Sequence, residues 1–165
     1  MTAFSILDLK AFTSQLFLQD SFDQFLVSEA VKTTGNTIKI DERIQKDYYS
    51  EEEFEALPDQ ELSCWKAVRP LCYQIIKGKR LPKSFRIVLG LSGKQTAAFL
   101  IQRGLPLSSD EVAGIYLNLR YEKGNLQIVT GTSQRGFSMD RSLDKEWDAS
   151  VRQLLKQQQI AFEEI

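Results

Sequence analysis

The fold is decided by the stretch Gly114-Ile-Tyr-Leu-Asn-Leu-Arg-Tyr-Glu-Lys-Gly-Asn-Leu-Gln-Ile-Val-Thr-Gly-Thr132, in which apolar and polar residues alternate on both sides of a turn. Alternation with a period of two is typical of a β-strand with one buried face. With Lys123-Gly124 as a two-residue loop, Leu119 comes opposite Ile128. The stretch therefore predicts a β-hairpin whose inner face carries Ile115, Leu117, Leu119, Tyr121, Leu126 and Ile128.

The residues before this hairpin predict a strand followed by a helix. Apolar residues alternate over 84–91, and Ser92 can cap a helix that ends at Gly104. Residues 84–132 therefore have the order strand, helix, hairpin.

Residues 2–44 repeat that order. A short strand is predicted over 2–6, Asp8 can cap a helix, and two runs over 25–33 and 37–44 flank Gly35-Asn36 as a second hairpin. A β-α-β-β duplication and the chance recurrence of two common motifs explain this pattern equally well.

Helical patterns occupy the rest of the chain. A connection over 50–78 begins with the capping-box spacing of Ser50 and Glu53 and continues as an amphipathic helix from Leu62 that contains Pro70. A last strand is predicted over 137–139, followed by a C-terminal helix over 143–158. Together the patterns predict an α+β fold, with a mainly antiparallel sheet built from two strand-helix-hairpin blocks and helices packed on one face.

The composition limits the catalytic and metal-binding chemistry that this chain can support. The 165 residues correspond to one domain, contain no histidine, and include two cysteines, Cys64 and Cys72. Eight helical residues separate the cysteine Cα atoms by about 12 Å, which is beyond the reach of a disulfide. We therefore expect reduced thiols, no catalytic residues, no metal and no cofactor. No apolar run approaches the ~20 residues of a membrane helix and no signal-peptide pattern begins the chain, so we expect a cytoplasmic protein with no membrane contact.

Charge is distributed unevenly. Between Glu61 and Asp110 the chain has nine Lys or Arg residues and no Asp or Glu, whereas the preceding residues 41–61, the acidic segment, are rich in carboxylates. One interpretation is a surface for nucleic acid or another polyanion, centred on Lys77, Lys79, Arg80 and Lys83. The other is that the two segments fold together and neutralise each other. The pI of 5.6 favours neutralisation, because nucleic-acid-binding domains usually have pI values above about 9.

The hairpin also has a second, polar face. If helices cover only one side of the sheet, this face is available to a partner. The residues predicted to lie there are Tyr116, Asn118, Arg120 and Gln127.

Five short motifs in the chain resemble those of a family of small proteins of unknown function from clostridia and their relatives. The motifs are Phe22-Asp-Gln-Phe-Leu-Val, Thr33-Thr-Gly-Asn-Thr37, Trp65 with Arg69-Pro-Leu71, Tyr116-Leu-Asn-Leu-Arg-Tyr121, and Thr130-Gly-Thr-Ser133. The resemblance is nearly full length and implies no activity, cofactor or catalytic residue. The doubled order of strand, helix and hairpin also resembles the repeats of DNA sliding clamps, in topology alone.

These observations favour a non-enzymatic binding or interaction module whose partner is a nucleic acid or an unknown protein. The alternative is a small histidine-independent enzyme that uses carboxylates and arginines in a pocket assembled by the fold. A deep pocket with two converging titratable side chains would favour the enzyme, and a flat, exposed sheet face would favour the module.

Overall fold

The computed structural model describes all residues from Met1 to Ile165 and shows an α+β fold. The seven strands are β1 (Ala3–Ile6), β2 (Leu26–Thr33), β3 (Thr37–Ile40), β4 (Ser84–Gly90), β5 (Val112–Glu122), β6 (Asn125–Gln134) and β7 (Phe162–Glu164). The five helices are α1 (Leu9–Leu18), α2 (Glu51–Glu55), α3 (Trp65–Ile76), α4 (Gly93–Gln102) and α5 (Ser142–Gln157). Short 3-10 turns lie at Lys46–Tyr48 and Ser109–Glu111.

The strands form one sheet in the order β3-β2-β4-β5-β6-β1-β7, and every neighbouring pair is antiparallel. The predicted fold class is confirmed. The β5–β6 hairpin has the predicted register, with Leu119 opposite Ile128. Its turn residues Lys123 and Gly124 have φ angles of 51° and 83°. Two positive φ angles in a two-residue loop are those of a type I′ turn, which matches the right-handed twist of the strands.

The two faces of the sheet differ in burial. On β5 the inner-face residues Ile115, Leu117, Leu119 and Tyr121 are all buried. The alternate, outer-face residues of the same strand, Tyr116, Asn118 and Arg120, are half-buried or exposed. Because the alternation holds along β4, β5 and β6, the apolar core lies against the inner face.

The buried side chains of four helices join that core. Phe17 of α1 packs edge-on against Phe85 of β4, with ring centroids 5.8 Å apart, and also contacts Trp65 of α3. On the other half of the sheet, Trp147 of α5 packs edge-on against Phe99 of α4. The aromatic contacts thus link neighbouring helices to one another and to the sheet.

The helix starts follow from local capping. Asp8 accepts a hydrogen bond from the amide of Ala11, and Ser50 forms a complete capping box with Glu53. Ser92 forms a second box with Gln95, and Gly104, at φ 62°, follows the end of α4.

Both predicted blocks contain a strand, a helix and a hairpin in order. Their first strands pair differently, because β4 pairs with β5 of its own block whereas β1 pairs with β6 of the other block and with β7. A duplication of residues 2–44 and 84–132 stays a prediction.

The prediction of a last strand over 137–139 is wrong. Phe137 and Met139 are 96% and 85% exposed in an irregular segment, where Asp140 accepts hydrogen bonds from the amide and hydroxyl of Ser142. An apolar pattern does not form a strand unless another strand is free to pair with it. The last strand is β7, in which Phe162 pairs with Ile6 at the edge of β1.

Two element boundaries also differ from the predictions. The amphipathic helix begins at Trp65 rather than Leu62, because Cys64 is its extended N-cap residue, and it continues without interruption through Pro70. The second arm of the first hairpin ends at Ile40 rather than at residue 44.

Candidate basic loop and binding groove

The chain between α3 and β4, residues 77–83, is called the basic loop here. Its ends are held by main-chain hydrogen bonds, from the amide of Lys77 to the oxygen of Tyr73 (2.8 Å) and from the amide of Lys83 to the oxygen of Thr33 (2.9 Å). Between these anchors the chain has no regular structure. All four predicted polyanion-binding residues, Lys77, Lys79, Arg80 and Lys83, lie on it and are exposed.

None of these four side chains takes part in an ion pair. Other cations of the acid-free interval do have carboxylate partners, and these are Arg69 with Asp23, Arg86 with Glu29, and Arg103 with Glu146. Every one of those carboxylates lies outside the acidic segment. No ion pair therefore joins the acid-free interval to residues 41–61.

Carboxylates of the acidic segment instead form contacts with other residues of that segment. Asp41 pairs with Arg43, whose hydrogen bonds lower the pKa of the Asp41 carboxyl to about 2. Glu53 accepts a hydrogen bond from the amide of Ser50, which lowers the pKa of Glu53 below its ordinary value. These contacts lie within the acidic segment, and none of its carboxylates forms an ion pair with the basic loop.

A fifth cation lies at the same end of the sheet. Ser84, which follows the basic loop, is paired with both Thr33 and Glu122. The loop consequently lies at the end of the sheet where the two hairpins turn. Lys123 in the β5–β6 turn is exposed and has no ion pair.

A groove of about 700 Å³ lies between α1, the end of α3 and the basic loop. We refer to this cavity as the groove. Its lining is mainly apolar and includes two lysines but no Asp or Glu. The residues that line it are Leu9, Lys10, Thr13, Ser14, Phe17, Leu18, Tyr73, Ile76, Lys77, Gly78, Leu81, Pro82, Phe85 and Tyr121.

Three buried aromatic rings contribute to the lining of the groove, Phe85 and Tyr121 from the sheet and Phe17 from α1. Phe85 and Tyr121 stack with their centroids 5.1 Å apart, and Phe17 meets Phe85 edge-on. All three side chains are at least 95% buried. Because they are packed in the core, they hold this part of the lining rigid, and the exposed apolar surface of the groove comes from side chains such as Leu18 and Leu81.

Lys32, a buried lysine that the sequence interpretation missed, lies next to the Phe17 ring. The Nζ atom of Lys32 is 4.6 Å from the centroid of the Phe17 ring and donates a hydrogen bond to the main-chain oxygen of Cys72. Burial lowers the pKa of Lys32 to about 8, and burial also raises the pKa of the Cys72 thiol. Both cysteines are free thiols.

The predicted partner face is assembled on the outer side of the sheet. Arg120 is paired with Gln127 across the hairpin, and Asn118 donates to the main-chain oxygen of Val129 (3.1 Å). The ring of Tyr116 lies over Gly114, where an added Cβ atom would be 2.0 Å from the Tyr116 hydroxyl. The structure brings the four residues together, and their role as a contact surface stays a prediction.

Comparison with known proteins supplies a family. The model of a family described as "Family of unknown function (DUF5721)" matches residues 15–163. The chain belongs to that family. No curated protein and no solved structure matches the chain.

Two further properties of this family member bear on the site. No three Cys, Asp or Glu side chains come together in an arrangement that would hold a metal ion. None of its helices has the length and apolar character needed to cross a membrane.

The groove was not predicted from the sequence. It combines residues of α1, α3, the basic loop, β4 and β5, which come together only in the folded chain. A signal for Lys32 did exist, because it is two residues from Ala30 and therefore on the same, inward face of β2.

Proposed function

We propose that this protein is a non-enzymatic binding module whose basic loop holds a polyanionic partner, and that this partner is a nucleic acid. The observation that carries the proposal is the exposure of Lys77, Lys79, Arg80 and Lys83 without any carboxylate partner. An unpaired cation is free to contact a phosphate and to release the counterions bound to it.

Local charge explains how a protein with a net charge of −1 would bind a polyanion. At an ionic strength of 0.15 M, charges more than about 8 Å apart are largely screened from each other at a surface. A phosphate group at the basic loop therefore responds to the loop cations and to Lys123 more than to distant carboxylates, and the carboxylate of Glu122, which lies at this end of the sheet, is paired with Arg120. Phosphate contacts of this kind do not read the bases, so we expect binding without sequence preference.

The composition of the groove supports a binding module over the enzyme alternative. Its titratable groups are Lys10, Lys77 and two tyrosines, with no carboxylate or cysteine. A general acid-base pair needs two groups of matched pKa near the reacting atoms, and the groove offers only lysines and tyrosines as titratable groups.

The second predicted surface, around Tyr116 and Arg120, is proposed as the place for a protein partner.

The test uses fluorescence anisotropy with labelled duplex and single-stranded oligonucleotides at ~50 mM salt. We expect weak binding by the wild type and at least a tenfold loss when Lys77, Lys79, Arg80 and Lys83 are all changed to glutamine. The matched control changes four other exposed lysines to glutamine, namely Lys66, Lys94, Lys145 and Lys156.

The control variant has the same net charge as the loop variant, so it separates position from total charge. Retained binding by the control supports the proposal. Equal losses in the two variants would show that the basic loop has no special role, and a flat titration by the wild type would remove nucleic acid as the partner.

A further inference from the structure

We propose that the groove is a binding site for a fatty acid, with the hydrocarbon chain against its apolar side chains and the carboxylate at Lys10 and Lys77. This site shares Lys77 with the proposed phosphate-binding residues, but it does not depend on nucleic-acid binding by the basic loop. The proposal rests on the volume, lining and charge of the groove and on the elements that border it.

The volume and the lining suit a hydrocarbon chain. Sites for small molecules span about 300–1,000 Å³ and are mostly apolar with a few polar groups that fix orientation. The groove, at about 700 Å³, lies within this range, and eight of its 14 lining residues are hydrophobic. Two of them, Leu18 and Leu81, are 53% and 79% exposed, so a bound chain would cover apolar surface that now faces water.

The charge of the lining selects an anionic ligand. Lys10 and Lys77 line the groove, neither forms an ion pair, and no lining residue is acidic. The side chain of Lys77 extends toward the Tyr73 ring, with Nζ 5.9 Å from the centroid. An amphiphile with one anionic end matches this combination of apolar lining and cationic side chains.

The bordering elements disfavour an extended peptide. The strands that contribute to the groove, β4 and β5, are both interior strands whose main-chain groups are already paired on either side. The hydroxyl of Thr13 is engaged with the main-chain oxygens of Leu9 and Lys10. Buried peptide amides would find few partners, whereas a hydrocarbon chain needs none.

Isothermal titration calorimetry with octanoate, decanoate and dodecanoate, each below its micelle concentration, tests the proposal. We expect one saturable site and an affinity that rises by up to about fourfold for each added methylene, the factor that corresponds to ~0.8 kcal/mol. Dodecanol in place of dodecanoate should bind more weakly, because it lacks the charge.

Two variants and one control locate the site. Ser14→Trp places a large side chain in the groove and should weaken dodecanoate binding at least tenfold, whereas Gln153→Trp, on the exposed surface of α5, should leave it unchanged. Leu81→Asp alters a side chain that is 79% exposed, so it should not affect folding and should weaken binding through like charge.

The nucleic-acid proposal and the fatty-acid proposal can be contradicted independently of each other. Changing Lys79 and Arg80 to glutamine should weaken oligonucleotide binding and leave dodecanoate binding intact, since neither residue lines the groove. The fatty-acid site is overturned if no chain length binds, if affinity does not depend on chain length, or if Ser14→Trp and Leu81→Asp both bind as the wild type does. Binding of an acidic amphipathic peptide without binding of any fatty acid would also overturn it.

Discussion

The ammonium group of Lys32 donates a hydrogen bond to the main-chain oxygen of Cys72, 2.7 Å away, inside the apolar core. Only 2% of Lys32 is exposed and Cys72 is fully buried. Burial disfavours the charged amine more than the neighbouring Cys72 side chain compensates, so the pKa of Lys32 falls from 10.5 to about 8.

The first prediction is that stability rises with pH as Lys32 loses its proton. Above a pH of about 8 the folded state releases this proton, whereas the unfolded state holds it until about 10.5, so the unfolded state binds more protons. We expect Lys32 to contribute an increase of about 1 kcal/mol in the free energy of unfolding between pH 8 and 9, measured in urea titrations as the wild-type value minus that of Lys32→Met.

The same titrations with Lys32→Met should show no such rise and a higher stability at pH 7. The raised pKa of Cys72 acts in the opposite direction, because around pH 9 the folded state holds the thiol proton that the unfolded state releases, so in the wild type it offsets part of the rise. If the wild type gains no stability relative to Lys32→Met from pH 8 to 9, the buried charge is contradicted.

The second prediction concerns the inner face of the central hairpin. Leu119 is fully buried in β5, so Leu119→Ala should lower the free energy of unfolding by about 2–5 kcal/mol. The adjacent Asn118 points to the outer face and makes one hydrogen bond, to Val129, so Asn118→Ala should cost only about 1 kcal/mol. Similar losses for the two variants in denaturant melts would mean that the faces are assigned incorrectly.

Whether an element could be predicted from the sequence depends on how close together in the chain its interacting residues lie. The alternation around Leu119 and the turn at Lys123-Gly124 lie within one hairpin, so neighbouring residues determine its register. The three residues of β7 form a strand only because they pair with β1, more than 150 positions away. The groove and the ion pair between Arg69 and Asp23 likewise need the complete fold.

The third prediction tests the turn itself. Gly124 has a φ of 83°, where a side chain is strained, so Gly124→Ala should destabilise the protein by about 1 kcal/mol or more. Lys123 also has a positive φ, which asparagine adopts more readily, so Lys123→Asn should stabilise by a few tenths of a kcal/mol. Thermal melts of the two variants should move in opposite directions, and a shift in the same direction would argue against the type I′ turn.

The fourth prediction concerns the thiols. Cys64 is half-buried at the start of α3, whereas Cys72 is fully buried and its pKa is raised by that burial. A thiol reagent should modify Cys64 first and Cys72 only when the chain unfolds, and reductant should not change the melting temperature. Rapid modification of Cys72 in the Cys64→Ser variant under native conditions would contradict the packing of α3 on the sheet.

The central claim is that the four cations of the basic loop bind phosphate, and the salt dependence of duplex DNA binding tests it most directly. Each phosphate neutralised contributes about −0.9 to the slope of log affinity against log salt concentration. If all four loop cations contact phosphates, changing Lys77, Lys79, Arg80 and Lys83 to glutamine should make the slope less negative by about 3.6. The variant with Lys66, Lys94, Lys145 and Lys156 changed to glutamine should keep the wild-type slope, and an unchanged slope in the loop variant would contradict the claim.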